Sequence, residues 1–401
     1  MHGKPSILHI VGDSRFGGGT LVIAQLARAA KELGWDPYVL TTDPQSQDYY
    51  KAHGIGILGM DLIWRSIHPL RDLRGFVRLV RLLRKEHFDV VHTHTSKGGM
   101  VGRLAAWLAR TPIVVHTVHG FAFHEQSGWL ARTVYSSLER LASHWCDAIV
   151  CVSEFHARWA LELGIGTSRK VFSIPNGVEP LPELPFDTCP RTRLELGISP
   201  EATLLFSMGR LAPQKGFPWL IDAVALLRDV HNRSVLLAIA GEGPLDEELR
   251  EYARQRGVSE NVRFLGFRRD IPQLLAACDI VVLPSLWEGL SIALLEAMRA
   301  GRPIVSTTIE SNLEVASHGN VALLVPPKDA EALASAILRL LQDSELRTTL
   351  ASESRRVLRE HYSEERVVAA YRDLYALLAR RHLGAACAPN PIQAVPKGGY
   401  R

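Results

Sequence analysis

Arg210 and Lys215 stand close together in the run GRLAPQKGF, just after an apolar segment that ends at Gly209. Two cations of different geometry suit a diphosphate, because a guanidinium can bridge two oxygens while an ammonium acts as a point charge. A solvated basic loop is the other reading of the same residues. Farther on, SLWEGLSIALLEAM places Glu288 in a loop and Glu296 about two turns into a helical pattern, with Gly289, Leu290 and Ser291 at the helix start. Free N–H groups at such a start can hold phosphate or sugar oxygen, and carboxylates accept hydrogen bonds from the hydroxyls of a sugar or ribose. An ordinary helix carrying two surface glutamates is the alternative. Nothing local places a water between the two carboxylates, as glycoside hydrolysis would require.

The N-terminal part offers backbone and imidazole chemistry instead. Gly17, Gly18, Gly19 and Thr20 open a helix after the first apolar run, where backbone N–H groups and the helix end favour an anion. A tight turn that needs positive φ explains the glycines equally well. The spacing is not GxGxxG, so the dinucleotide fingerprint fails even though Asp43 ends the second apolar run where a ribose-binding acid would sit. Two histidine pairs follow, His92 with His94 and His116 with His119. His116 reads as a satisfied buried group, whereas His119 directly precedes Gly120 at a strand end and can reach a ligand. No carboxylate accompanies either pair and no DxD occurs, so no metal site is expected.

These residues need elements that bring them to one edge. ILHIVGD, DPYVLTTD, DVVHTH, PIVVHTVHG, DAIVCVS and KVFSIPNG are short β-branched runs separated by helical patterns, and TLLFSMG, SVLLAIAG, NVRFLGF, DIVVLPS, RPIVSTT and NVALLVPP repeat the scheme. Such alternation specifies parallel strands buried on both faces, an α/β chain of two doubly wound, Rossmann-like domains. The expected organisation is an N-terminal domain over 1–180, a proline-rich linker over 181–198, a C-terminal domain over 199–362, a last helix over 363–383 and a mobile tail over 384–401. Open parallel sheets bind ligands at the carboxyl ends of their strands, so two facing sheets would share one cleft.

With 401 residues, 47% of them apolar and 22% charged, the chain is long enough for two real cores. A formal net charge of +4 is too balanced for a protein that coats nucleic acid, and no nucleic-acid partner is expected. The five cysteines form no CxxC pair and no regular spacing, which argues against a disulfide scaffold or structural zinc and fits a reducing cytoplasm. No apolar run reaches the length that crosses a bilayer, and the N-terminus lacks a signal-peptide pattern.

Taken in order, GGGT at Gly17, HTHTSKGG at His92, HTVHGF at His116, VSE at Val152, IPNGV at Ile174, GRLAPQKG at Gly209, AGEGPL at Ala240, FLGF at Phe264 and EGLSIALLE at Glu288 resemble the retaining glycosyltransferase family 4, over about residues 5 to 380. HTHTSKGG followed by HTVHGF is similar to that family's capsule and exopolysaccharide branch. The resemblance implies the two-domain GT-B fold and transfer from a nucleotide diphosphate sugar, with a UDP-sugar as the expected donor. The implied acceptor is a saccharide, linked to polyprenyl diphosphate. It makes Arg210 and Lys215 a diphosphate clamp, Glu296 the ribose acid and Glu288 the contact to the donor sugar. His119 would lie at the reaction centre. Gly18 and Gly19 would belong to the loop near donor phosphate and acceptor, and Phe267 and Arg268 to the loop that reads the base. Gly289, Leu290 and Ser291 would contact the donor through their backbone. Many relatives carry phenylalanine where Leu290 stands and glycine or proline at Ser291, a departure that main-chain contacts tolerate.

With no carboxylate placed as nucleophile, the resemblance implies a front-face course in which the leaving phosphate helps deprotonate the acceptor hydroxyl, with no cofactor. Residues 63 to 87 carry a net charge of +5, with cations at Arg65, Arg71, Arg74, Arg78, Arg81, Arg84 and Lys85. Leu70, Leu73, Val77, Val80 and Leu83 recur every three or four positions, which makes a basic amphipathic helix able to rest on anionic lipid. A helix packed in the core with a solvated outer face is the plainer reading. The expected place of work is the cytoplasm, peripherally at the inner face of the cell membrane. Rival functions are a nicotinamide oxidoreductase, a sugar-nucleotide epimerase of similar architecture and a non-catalytic sugar-nucleotide sensor.

Overall fold

The computed structural model describes residues 4–12, 16–63, 68–124, 127–181, 184–185 and 187–384. The chain divides into two units, residues 1–177 with 364–401 and residues 178–363.

In the first unit, strands β1 (Ser6–Ile10), β2 (Asp36–Leu40), β3 (Gly56–Leu58), β4 (Val90–His94), β5 (Ile113–Val118), β6 (Ala148–Cys151) and β7 (Val171–Ser173) form one sheet in the order β3-β2-β1-β4-β5-β6-β7. All pairs are parallel because a helix separates each strand from the next: α1 (Gly18–Glu32), α2 (Pro44–Ala52), α3 (Pro69–Glu86), α4 (Ser96–Ala109), α5 (Trp129–Ala142) and α6 (Glu154–Glu162). Ile7, Leu8 and Ile10 of β1 are fully buried, as a strand with helices on both faces requires, and each such side chain contributes about 1.5–3 kcal/mol. The sequence pattern misses β3, a three-residue edge strand that begins with glycine.

The second unit opens with α7 (Thr188–Glu195) and then alternates β8 (Leu204–Met208), α8 (Phe217–Asp229), β9 (Leu236–Ala240), α9 (Asp246–Gln255), β10 (Val262–Gly266), α10 (Ile271–Ala277), β11 (Ile280–Leu283), α11 (Ile292–Ala300), β12 (Ile304–Thr307), α12 (Glu310–Ala316) and β13 (Leu323–Val325), followed by α13 (Ala330–Gln342) and α14 (Ser344–His361). Its parallel sheet has the order β10-β9-β8-β11-β12-β13, with Leu205, Leu237, Ile280 and Val305 in a core closed by Phe217 and Leu220 of α8.

Helix α15 (Glu364–His382) belongs to the first unit, where the Tyr371 and Tyr375 hydroxyls bond Thr117 and His92 at 3.1 and 2.7 Å.

Two readings of the sequence need correction. The stretch 181–198 is not plain linker, because α7 lies within it and is fastened to the second unit by Arg193, which donates to the Ala277 carbonyl at 2.9 Å and pairs with Asp279 at 2.8 Å. Pro190 is compatible with the helix because it falls in the first turn, where its missing N–H is not needed. In α3, Leu70, Leu73 and Val77 are exposed, and the buried side is Gly75, Leu79, Leu82 and Leu83 with Phe76 and Val80 packed beside it. Two apolar stripes compete at helical spacing, and the one that carries Leu79, Leu82 and Leu83 faces the core. Asp13, Arg65 and the tail from 385 lie outside the described residues.

Candidate active site

In the second unit the polar residues gather where strands end. β8 is followed by Gly209 and Arg210, and Lys215 lies in the short turn before α8. The Lys215 ammonium pairs with Glu288 Oε1, so the loops after β8 and β11 meet. Ser285 Oγ donates to the same oxygen at 3.0 Å and Gln214 Nε2 donates to Oε2 at 2.9 Å, which fixes the carboxylate from three sides. Arg210 is exposed and makes no ion pair among the described residues. The approach of the backbones depends on glycine. Gly209 has φ +145°, and a Cβ on it would stand 2.9 Å from Lys215 Cε; a Cβ on Gly241, after β9, would stand 1.9 Å from the Gly209 carbonyl oxygen. This edge thus carries an exposed guanidinium, an ammonium, and a carboxylate held by three donors.

Helix α11 begins at Ile292, one residue after its cap, Ser291, whose Oγ accepts from Leu294 N at 3.4 Å. Glu296 therefore sits in the second turn, nearer to the helix start than the sequence pattern suggests. Burial raises the pKa of its carboxyl, and neighbouring Arg299 opposes the rise. A half-buried carboxylate of this kind is stabilised by hydroxyl donors, which a ribose supplies. Leu290 is buried and Gly289 precedes it in the loop. Phe267 is exposed after β10, and the Arg268 guanidinium is held by Asp270, with Nε to Oδ1 at 2.7 Å.

The first unit presents neutral groups. Three imidazoles form a line, with His9 Nδ1 3.2 Å from His94 Nε2 and His94 Nδ1 3.1 Å from His119 Nε2. His9 Nε2 is buried without a partner. An orphaned buried N–H is rarer than a bare lone pair, which places the His9 proton on Nδ1. His9 then donates to His94 and His94 donates to His119, which leaves the His119 proton on Nδ1. Burial lowers the pKa of His119 to about 4 and of His9 to about 3, and holds His92, His94 and His116 well below the usual imidazole range. His116 is satisfied inside the fold by Thr93 Oγ1 at 3.0 Å. Gly99 leaves it room, since a Cβ there would stand 2.3 Å from His116 Cε1. A cavity of about 10 Å³, the space of one water, lies beside Thr95, Ser96, His119 and Gly120.

His9, His92 and His94 have nitrogens within 4.8 Å of one another, which by distance alone admits a cation. Both nitrogens of His92 are engaged, by Tyr375 and by Thr117 Oγ1 at 2.8 Å, and both of His94 bond other histidines. Only His9 Nε2 has a lone pair to spare, and none of the three residues supplies the negative charge that a buried divalent ion needs.

The glycine run at α1 is not a left-handed turn. Gly17 caps the helix with extended φ, and open space faces the Cβ positions of Gly17 and Gly19; Gly18 is the first helical residue. Asp43 does not serve as a free acid there, because it caps α2 and accepts from Ser46 N at 2.9 Å and Phe16 N at 3.1 Å. Sequence reasoning missed His9, Gln214 and Ser285. His9 is a lone histidine in an apolar run, and only its pairing with β4 through the register His9 to His92 reveals its neighbours.

The description "Glycosyltransferase Family 4" matches residues 16–180, and "Glycosyl transferases group 1" matches residues 190–357. The UDP-Gal:alpha-D-GlcNAc-diphosphoundecaprenol alpha-1,3-galactosyltransferase of Escherichia coli is 32% identical over 287 residues, 70% of this chain and 74% of that protein. The N,N'-diacetylbacillosaminyl-diphospho-undecaprenol alpha-1,3-N-acetylgalactosaminyltransferase of Campylobacter jejuni is 26% identical over 358 residues, 87% of this chain and 93% of that protein. Among solved structures, HepE of Anabaena in complex with UDP-glucose is similar in fold, with a TM-score of 0.79 at 23% identity over 93% of this chain and 99% of that chain. The chain thus belongs to glycosyltransferase family 4, and its two Rossmann-like sheets are those of a GT-B glycosyltransferase.

Proposed function

We propose that this chain is a retaining, metal-independent glycosyltransferase that moves a sugar from a UDP-sugar to a hydroxyl of a polyprenyl-diphosphate-linked saccharide, in surface polysaccharide synthesis. The observation that carries this reading is the joined edge of the second unit, where Lys215 and Glu288 pair across the ends of β8 and β11 and Arg210 stands exposed directly after β8. Both transferase relatives have a diphosphoundecaprenol saccharide in their names, which supports the acceptor class. The galactosyltransferase's UDP-Gal and the UDP-glucose bound by HepE support the donor.

In this reading Arg210 and Lys215 grip the diphosphate and Glu296 accepts hydrogen bonds from the ribose. The loop near Phe267 and Arg268 lies against the base, and backbone N–H groups of Gly289, Leu290 and Ser291 face the donor. Glu288, held by Lys215, Ser285 and Gln214, orients the sugar hydroxyls. The bond from the anomeric carbon to the phosphate oxygen breaks while the bond to the acceptor oxygen forms on the same face. The acceptor proton passes to a phosphate oxygen. Charge grows on the diphosphate, where preorganised cations stabilise it. His119, neutral by burial, donates its Nδ1–H to a hydroxyl oxygen of the donor sugar and takes no proton. Gly18 and Gly19 allow phosphate and acceptor to approach the α1 start closely. The chain works in the cytoplasm, resting on the inner face of the membrane through the cations of α3, and no nucleic acid takes part.

The test is to incubate the protein with a panel of UDP-sugars and a GlcNAc-diphosphate polyprenol in EDTA, with mass spectrometry of the lipid product and NMR of the new linkage. Addition of one sugar with the donor's anomeric configuration is expected. Nucleotide binding without transfer to any lipid acceptor would point to a sensor, and an inverted linkage would overturn the front-face course.

A further inference from the structure

His119 is joined to the interior of the first unit through imidazoles alone. His9 of β1, His94 of β4 and His119, just beyond β5, follow one another at 3.2 Å from His9 Nδ1 to His94 Nε2 and 3.1 Å from His94 Nδ1 to His119 Nε2. His9 and His94 are buried, and His119 is half-buried. The His92 ring, centred 4.4 Å from that of His94, does not compete for these protons, because Tyr375 and Thr117 occupy both its nitrogens. Among the described residues no carboxylate bonds to any ring of the line.

A neutral imidazole has one N–H and one lone pair, so each contact between two rings uses one of each. The line therefore has two states. With every proton on Nδ1, donation runs from His9 through His94 to His119 and leaves a bare lone pair at the buried His9 Nε2. With every proton on Nε2 it runs backwards and leaves a buried N–H without an acceptor, the rarer defect. A histidine side chain alone in water favours the proton on Nε2, so the line selects the opposite form of His119. The nature of the partner matters as well. An orienting carboxylate would stabilise the imidazolium and make His119 a base, whereas an orienting imidazole fixes the tautomer and leaves the ring neutral. Burial, which lowers the pKa of all three rings, acts in the same direction.

We propose that His94, itself held by His9, is a positioning residue that fixes His119 as a hydrogen-bond donor through Nδ1. This role rests on the reading above, in which that N–H meets a hydroxyl oxygen of the donor sugar, and it adds the residues that decide which nitrogen carries the proton. A fixed N–H accepts nothing, so the sugar must turn an oxygen lone pair toward it and point the hydroxyl proton elsewhere. The line thus restricts how the sugar is oriented for transfer. It leaves the grip on the nucleotide, assigned to the second unit, untouched.

The experiment joins imidazole nitrogen-15 NMR of the full chain, labelled at histidine, to kinetics of transfer from a panel of UDP-sugars to a GlcNAc-diphosphate polyprenol. Loss of its resonances in His119→Ala assigns His119. Wild type, His94→Asn and His94→Phe are compared at neutral pH. Wild-type His119 is expected to carry its proton on Nδ1. Phenylalanine keeps a ring in place but donates nothing, so the His119 proton moves to Nε2 and kcat falls about tenfold, the scale of one hydrogen bond, with UDP affinity unchanged. The asparagine amide stands where Nδ1 stood and still donates, so His119 keeps its tautomer and most of kcat returns. A wild-type His119 protonated on Nε2 overturns the proposal whatever the variants do, and that measurement decides even where His94→Phe does not fold. An unchanged tautomer in His94→Phe also overturns it, as does an equal loss of kcat in both variants, which would mark a packing role. Transfer by a wild type protonated on Nε2 overturns the positioning role and leaves the transferase reading standing. A proton on Nδ1 with no transfer from any UDP-sugar does the reverse, supporting the fixed tautomer and sinking the transferase reading.

Discussion

The two units share one architecture and part company at the carboxyl ends of their strands. In the second unit those ends hold Arg210 and the Lys215–Glu288 pair, brought close by glycine-lined backbones, and the half-buried Glu296 follows in the second turn of α11. In the first unit they hold His94 and His119, with His9 and His92 behind them, all driven neutral by burial. The same scaffold therefore offers charge at one edge and fixed, uncharged donors at the other. A diphosphate needs the first kind of edge. Hydroxyls can be oriented by the second without proton exchange, because an imidazole with a pKa of about 4 stays neutral at physiological pH.

The sharpest way to break this contrast is to remove charge from the second unit. Arg210→Ala and Lys215→Ala should each slow sugar transfer about a hundredfold to a thousandfold, since loss of one donor to developing charge costs about 2.7–4 kcal/mol of barrier. Steady-state kinetics with a saturating acceptor checks this; a tenfold or smaller loss in both variants would mean that the charged edge does not stabilise the leaving group.

The carboxylates sharpen it further. Glu288→Gln should lower kcat with little change in UDP affinity. Glu296→Gln should weaken UDP by about tenfold to a hundredfold, as expected for hydrogen bonds to a charged group at roughly 1.5–3 kcal/mol. Because burial raises the Glu296 pKa and ribose hydroxyls favour its ionised form, UDP affinity should fall as pH drops through that raised pKa. The Gln variant should lack that component, and calorimetric titrations at several pH values would show whether it does.

A smaller effect distinguishes the units in acid. The buried histidines with lowered pKa all lie in the first unit, and the unfolded chain binds protons there that the folded one excludes. Stability of that unit should fall as pH drops below about 6.5, by roughly 1.4 kcal/mol per pH unit for each such histidine until its folded pKa is reached. Hydrogen exchange should then accelerate in β4 and β5 before β8 and β11; simultaneous opening would show that the histidines are not held neutral. The smallest expected effect is that of EDTA, which should leave transfer unchanged. Loss restored by manganese would show a metal site.

Much of the scaffold was legible because parallel strands buried on both faces write themselves as β-branched runs, and the charged site residues because they follow those runs directly. Glu288, Lys215 and His119 all sit one loop beyond an apolar segment. What stayed hidden depends on phase and on distance in sequence. The prolines around α7 masked a helix whose Pro190 falls in the first turn, and α3 carries two apolar stripes between which periodicity cannot choose. The His9–His94–His119 line joins three separate strand regions, so only strand order brings it together. That α5 turns Trp129, Leu130 and Leu138 outward and buries Ser136 and Ala142 was equally invisible, since an amphipathic pattern shows that two sides differ but not which one faces the protein.

The most direct test of the contrast between the two edges is calorimetric titration of UDP into the wild type, Arg210→Ala, Lys215→Ala and His119→Ala at neutral pH. Binding by the wild type, weakened at least tenfold in both cation variants and unchanged in His119→Ala, is the predicted result. Equal affinity in the wild type and both cation variants, or loss of UDP binding in His119→Ala, would contradict the assignment of the diphosphate to the charged edge of the second unit.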